Sequence, residues 1–447
     1  MACSQRASDP CLRAWIWAWV WACVWVRACS GSYREVAPCT FNLMCTCRYA
    51  SDGTIPDLTM SPTALDHITE MTCVGVPFAR IPGIPPGLVL QMDLVNSGLE
   101  VIADGDFGDT RVGNLRLMSN SIRLIGDKAF RNHIAELLAE DWAGLRDTLA
   151  TLFLGENDVD HVPRDVFSRC KRLLWLNLDD NNILALERDS LSRNIQTLSL
   201  NHNLLTGFPS EAVSSIRDLT WLFLRGNLLD RLPDTGFIVQ KKLDKLDLGE
   251  NFIRFIPNNL FNGSLTVRDL HLDFNLLTEI QDSAFQGLNP GRLYLSANNI
   301  FNITDNAFLG GPENSLVMVD LEKNRLQTVP KALSHLKRLR YLYLPDNQIA
   351  AIKDDAFRSF CESLESLSLS GNQLKAIPRA SLENCSTIAH LNLGHNQITE
   401  ILEEDFETWG DNLDTLVLRN NRIFKIPPHA FRHAPKLREL SLSFNRI

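Results

Sequence analysis

Signatures of catalysis are missing from this 447-residue chain. It has no glycine-rich phosphate loop behind a strand, no HExxH and no serine nucleophile elbow. It has no Cys/His pairs at metal spacing outside its cysteine-rich front. Those absences exclude phosphate-loop, zinc-protease and hydrolase chemistry, so the chain is read as not an enzyme, with no catalytic residue, cofactor or metal assigned. His271, His390 and His395 are read as solvated surface. An excess of positive charge is missing too. Lys and Arg total 44 against 53 Asp and Glu, for a net charge of -9 and a pI near 5.6. Nucleic-acid binders need basic stripes for phosphate contacts, so no nucleic-acid partner is expected.

Apolar runs of membrane length are not evident. Ala14 to Val26 is thirteen residues long, and spanning a bilayer takes about 20. Arg6 and Arg13 precede this run, and the small residues Ala28, Cys29 and Ser30 follow it. This arrangement predicts a secretory signal peptide over residues 1–30, cleaved near Ser30 and Gly31. An uncleaved anchor or a mistaken start codon is the alternative, and the run's five tryptophans are unusual for a signal. Secretion predicts disulfides and glycans. Of the 11 cysteines, Cys3, Cys11, Cys23 and Cys29 fall in the leader, and Cys39, Cys45, Cys47 and Cys73 cluster behind it. Glycosylation sequons occur at Asn262, Asn302 and Asn384.

What fills the rest is repetition. One pattern recurs: apolar, two free residues, apolar, one free, apolar, two free, Asn, one free, apolar. LWLNLDDNNI around Asn181 and LDLGENFI around Asn251 are clear copies. The Asn positions run from Asn120 to Asn445, Ser97 holds the slot in a degenerate first copy, and most steps are 22 to 26 residues. Leu173, Leu176 and Leu178 show apolar spacing switching to the period of a strand, so Leu176 and Leu178 face a core while Trp175, Asn177 and Asp179 face out. A column of Phe stands ten residues after the Asn: Phe130, Phe167, Phe237, Phe261, Phe285, Phe308, Phe357, Phe406 and Phe431. It reads as a stacked spine under the outer side. A single repeat cannot fold alone, because ordering each residue costs roughly 1–2 kcal/mol of backbone entropy and its apolar face is covered only by the next repeat.

Period and Asn position together resemble the leucine-rich repeat. The resemblance implies an α/β solenoid: a horseshoe with a parallel β-sheet on its concave face, and Asn amides bonding neighbouring turn carbonyls as an internal ladder. It covers residues 89–447, about 15 repeats with the last truncated at Ile447, which predicts a fragment. Residues 31–88, with PCTFNLMCTC and CVGVPFARIP, resemble the N-terminal cysteine cap of extracellular members. Four cysteines allow three pairings; the family resemblance implies Cys39–Cys47 and Cys45–Cys73. The same segment resembles chaoptin-like photoreceptor adhesion proteins, in which membrane association is through a C-terminal lipid anchor, a region this sequence lacks.

Some segments break the pattern. The step from Asn120 to Asn157 is 37 residues, and Ile134, Leu137, Leu138, Trp142 and Leu145 recur at helical spacing, predicting an amphipathic convex helix or a decayed repeat. Cys170, Cys361 and Cys385 share one slot, three residues before the first strand apolar. That reads as burial of three small hydrophobes, with a Cys361–Cys385 bridge within reach.

The outward strand positions include Phe153, Trp175, Trp221, Phe223, Tyr294, Tyr341 and Tyr343. They read either as anchors for a partner or as cross-strand packing. Asp179, Asp180, Asp247, Asp273, Asp320 and Glu322 read as an acidic rim around them. The sequence therefore predicts an extracellular adhesion or recognition protein, at the cell surface or secreted, that binds a protein ligand or itself through the concave face. The alternatives are a secreted matrix organiser and the ectodomain of a signalling receptor.

Overall fold

Most Leu-x-Leu cores form a three-residue strand, and a few, such as Lys242–Asp247 and Leu265–His271, form longer ones. In Trp175–Asn177 the central Leu176 is buried and its neighbours are half-buried. Strands of successive repeats pair in parallel without a register shift: Trp175 lies beside Thr197, Thr197 beside Trp221 and Trp221 beside Lys245. The computed structural model describes residues 36–39, 42–49, 68–82, 87–107, 110–126, 129, 145–164, 166–233, 242–258, 260–261 and 265–447. Among these, eighteen strands make one continuous sheet. It lines the concave side of a solenoid with a single buried core. No helix among the described residues is long and apolar enough to cross a membrane.

The Asn ladder holds the turns. Asn181 Nδ2 donates to the carbonyls of Leu154 at 2.9 Å, Leu178 at 3.1 Å and Asp179 at 3.0 Å. Its Oδ1 accepts the Val159 N–H at 3.0 Å. One buried amide thus joins two repeats, and the arrangement recurs to Asn445, whose Oδ1 accepts from Ile423 at 3.0 Å. Backbone groups leaving a sheet must find partners when buried, and the ladder supplies them. The residue before each ladder position adopts positive φ, including Asp180 at 54°, His202 at 52° and Phe274 at 55°. Glycine occupies this slot at Gly226 and Gly371, where left-handed backbone is free of Cβ strain.

On the outer side Phe261, Phe285 and Phe308 stack with centroids 6.4 Å and 5.8 Å apart, and Phe406 meets Phe431 at 5.7 Å. Phe167 and Phe357 are fully buried. The spine is therefore real but segmented, because intervening repeats lack Phe. Phe130, Phe237, the 1–30 leader and most of the expected 134–145 helix lie outside the described residues; Leu145–Thr148 is helical.

Val36–Cys39 and Asn42–Tyr49 form an antiparallel pair, Ile68–Val74 joins it antiparallel, and Gly87–Val95 then pairs with Ile68–Val74 in parallel. The cap is thus an extension of the repeat sheet. Disulfides join Cys39 to Cys47 and Cys45 to Cys73, and all four residues are buried. Replacing Cys73 with Ala should cost about 3 kcal/mol, because the Cys45–Cys73 link no longer restrains the unfolded segment. Hydrogen exchange of Ile68–Val74 and Gly87–Val95 reads this directly, and unchanged protection there would argue that the bond is dispensable.

The slot shared by three cysteines needs a correction. Cys361 and Cys385 are bridged, with Cα atoms 4.4 Å apart, and do not sit as two separate thiols. Adjacent repeats in equal register bring equivalent residues within one strand spacing. Cys170 is buried in the same slot, but the next repeat offers Ser192 there, whose hydroxyl donates to the Cys170 carbonyl at 2.9 Å.

Candidate functional site

The concave face is built from the residues on either side of each buried strand Leu. Register places Phe153 beside Asn177, and Thr151 beside Trp175. Phe153 and Trp175 rings sit 5.0 Å apart across the strands, with the Arg116 guanidinium 5.6 Å from the Phe153 centroid. Two strands further on, Trp221 and Phe223 meet edge to face at 6.5 Å. Of the seven concave aromatics Trp221 alone counts as exposed, at 42%; the other six are half-buried. Tyr341 and Tyr343 flank the buried Leu342 in one strand. Tyr341 Oη donates to Glu365 at 3.0 Å, and Arg340 pairs with the same carboxylate.

These aromatics do not form one strip. A charged belt divides them, and Arg225 is its centre. The guanidinium lies 3.3 Å from Asp247, 2.8 Å from Glu250 and 2.5 Å from Asp273, so one cation spans three successive repeats. Lys245 approaches Asp247 at 3.3 Å and lies 5.3 Å from the Phe223 ring centroid. Arg292 forks onto both oxygens of Asp269, at 2.5 Å and 2.9 Å. His271 stacks on Tyr294 with centroids 4.1 Å apart, and its Nδ1 is 3.4 Å from Asp273.

Two expectations are overturned here. The acidic rim is bare only in part: Asp247 and Asp273 are buried and paired with Arg225, Asp247 with Lys245 as well, and Asp179 accepts from Ser199 Oγ at 2.6 Å and the Asn201 N–H at 2.7 Å. His271 is not solvated surface, since its side chain is only 16% exposed. The reason is common to both. Parallel stacking sets equivalent side chains one strand apart, close enough to satisfy one another before solvent does. Arg116, Arg225, Lys245 and Arg292 were missed as site residues, although all four occupy outward slots readable from the repeat register.

Electrostatics follow from burial and pairing. Burial acts against the Arg225 charge, yet Asp247, Asp273 and Glu250 hold its pKa above the ordinary guanidinium value. Burial also works to raise Asp273, but hydrogen bonds from His271 and Arg225 outweigh it and keep this carboxyl below the usual range. Asp179 goes the other way, lifted by burial despite its hydrogen bonds. Asp320 is likewise lifted by burial, with the Glu322 N–H donating to it and the Glu322 charge opposing its ionisation.

Beyond Tyr343 the face opens into a depression of about 600 Å³. Small polar side chains, Ser366, Ser368 and Asn392, floor it beside His390 and Thr415, and Asp320, Glu322 and Asp346 wall one end. Among the described residues no group of three His, Cys, Asp or Glu is placed to hold a metal ion. Of the sequons, Asn302 and Asn384 are exposed. Asn302 pairs in a short strand with Glu279, apart from the concave sheet. Asn262 lies outside the described residues.

Comparison with known proteins agrees with this architecture. The family model described as Leucine rich repeat matches residues 147–205, 176–229, 292–349, 343–398, 362–409 and 411–447, together more than half of the chain. Lumican of Gallus gallus is 34% identical over 147 residues, covering 27% of this chain and 42% of lumican. Chaoptin of Drosophila melanogaster is 27% identical over 142 residues, covering 32% of this chain and 9% of chaoptin. The chain thus spans less than half the length of either relative. The chaoptin likeness is partial and accompanies an equal or stronger one to lumican, so it assigns no particular kinship with chaoptin. A solved leucine-rich repeat protein of Leptospira interrogans superposes with a TM-score of 0.60 at 24% identity, over 79% of this chain and 84% of that one.

Proposed function

We propose that this chain, which belongs to the leucine-rich repeat family, is an extracellular recognition protein that holds a protein ligand against its concave sheet. The curated relatives are extracellular matrix or cell-surface proteins, and three N-glycosylation sequons and a cysteine cap suit that setting. The observation that carries the reading is Trp221. This residue remains 42% exposed on the sheet face while the other six concave aromatics are half-buried, and large aromatics in such positions are typical anchors of interfaces. Phe153 with Trp175, and Tyr341 with Tyr343, flank it as half-buried platforms that are already ordered, so a ligand loses little entropy on their account. The depression beside Tyr343 would receive protruding side chains, with Asp320, Glu322 and Asp346 favouring basic ones.

The test is a screen of the full secreted chain against a panel of purified secreted and cell-surface ectodomains. Replacing both Trp221 and Tyr343 with Ser should weaken capture of any bound ectodomain about tenfold or more, while the melting curve stays close to the wild type because neither side chain is in the core. A folded double variant that binds as tightly as the wild type would remove the concave face from the account. A matrix-organising role has its own support in the lumican match. It predicts that the captured partner is a fibrillar matrix protein.

A further inference from the structure

The edge of the solenoid that carries the Asn ladder shows a second pattern. The residue after each ladder Asn points outward, because its N–H bonds back to the preceding repeat, as Leu228 does to Leu205 at 2.9 Å and Phe252 to Leu229 at 2.9 Å. Four consecutive repeats fill this slot with large apolar groups: Leu204, Leu228, Phe252 and Leu276. Leu204 is 38%, Leu228 40% and Phe252 48% exposed. In the flanking repeats the slot is polar, with Asp158 and Asn182 on one side and Asn299 and Arg325 on the other. Exposed apolar stripes rimmed by polar residues mark interaction surfaces.

The order of this column is self-complementary. Read forward it is acid, Asn, Leu, Leu, Phe, Leu, Asn, base. Reversed against itself about the midpoint between Leu228 and Phe252, it sets those two together, Leu204 on Leu276, Asn182 on Asn299, and Asp158 on Arg325. The column two residues further along each repeat behaves in the same way about the same midpoint. Asp230 meets Arg254, Thr206 meets Thr278, and Leu184 meets Phe301. All six of these side chains are exposed, with Leu184 at 56% and Phe301 at 60%. Among the described residues Arg254 and Arg325 have no carboxylate within ion-pair distance, and Asp230 has only its sequence neighbour Arg231 at 3.8 Å.

We propose that two copies of this chain associate edge to edge through these columns, antiparallel, about a two-fold axis lying along the radius of the arc between the turns of Asn227 and Asn251. Such an axis superposes the two arcs with reversed chain direction and lays each column on itself, which is what an isologous contact requires. Eight repeats at strand spacing extend about 34 Å. A standard interface of about 800 Å² per partner is about 32 Å across, so the strip has the right length. The axis leaves both concave faces open, and the dimer offers two ligand surfaces facing the same way. Opposite charges meet at both ends and beside the centre, so the register is specified as well as the contact.

Analytical ultracentrifugation of the full secreted chain tests this. The wild type should show a concentration-dependent monomer–dimer equilibrium, and Phe252→Asp should weaken it by at least about tenfold. Asp230→Arg and Arg254→Asp should each weaken it about tenfold, and the double exchange Asp230→Arg with Arg254→Asp should return to within about threefold of wild type, since each residue faces the other across the axis. All three positions are exposed, and circular-dichroism spectra matching the wild type confirm folding. A wild-type chain that sediments as a monomer at every concentration overturns the proposal. A dimer indifferent to Phe252→Asp, or a double exchange no better than the single ones, overturns it too.

Discussion

Asn251→Ala is expected to destabilise the protein by about 3 to 5 kcal/mol, more than a typical point substitution. The wild-type amide donates to the carbonyls of Leu224 at 3.0 Å, Leu248 at 3.1 Å and Gly249 at 2.8 Å, and accepts the Leu229 N–H at 3.1 Å. Removing it strips four hydrogen bonds from a site only 4% exposed. The carbonyls of Leu224 and Leu248 keep partners in Asn227 and Asn275, so the largest single penalty falls on the buried Leu229 N–H. That asymmetry gives the effect a direction: the preceding repeat should loosen more than the following one. Chemical denaturation gives the total, and hydrogen exchange at Leu229 gives the direction. A loss under about 1 kcal/mol would mean that water or backbone adjustment replaces the ladder.

The second large effect is expected at Arg225. Replacing it with Met keeps much of the stem but takes the guanidinium from two buried carboxylates, leaving Asp247 with Lys245 alone and Asp273 with His271 alone, which should cost about 3 to 5 kcal/mol at neutral pH. The pH dependence separates this cause from lost packing. Asp273 has a folded pKa below its ordinary value because His271 and Arg225 overcome the effect of burial. Its contribution is therefore present above the unfolded carboxylate pKa and is lost as pH falls through the lower folded one. In the Met variant that depression is reduced, so acid should harm the variant less than the wild type, and the gap between them should hold from neutral pH down to the unfolded carboxylate value of about 4 and narrow as pH falls below it. Asp179, lifted by burial, acts in the opposite sense in both proteins and so drops out of the difference. A gap that stays constant with pH would assign the loss to the guanidinium's packing instead of its charge.

Much of the candidate site was legible because strands alternate. Once Leu176 and Leu178 are placed inward, Trp175 must face out, and the same register assigns Trp221, Phe223, Tyr294, Tyr341 and Tyr343 to the concave face. Less legible was how those side chains would be treated by their neighbours. Asp247, Asp273 and Glu250 read singly are surface acids; Arg225, which joins them, sits 22, 48 and 25 positions away in sequence. His271 reads as solvated until Tyr294 is stacked on it. The Cys361–Cys385 bridge was visible as a possibility of register, but burial of separate thiols was the simpler expectation.

The sequence by itself determined the solenoid, because a strict period of Leu and Asn can bury its apolar groups and its turn amides only by stacking repeat on repeat. It also determined which residues face the concave side, since the period of a strand leaves no choice once one position is set. The tertiary structure alone decided which of those residues remain available. Whether a side chain keeps its exposure, as Trp221 does, or spends its charge on a neighbour, as Asp273 does, depends on distances between repeats, and those distances exist only after the chain has stacked.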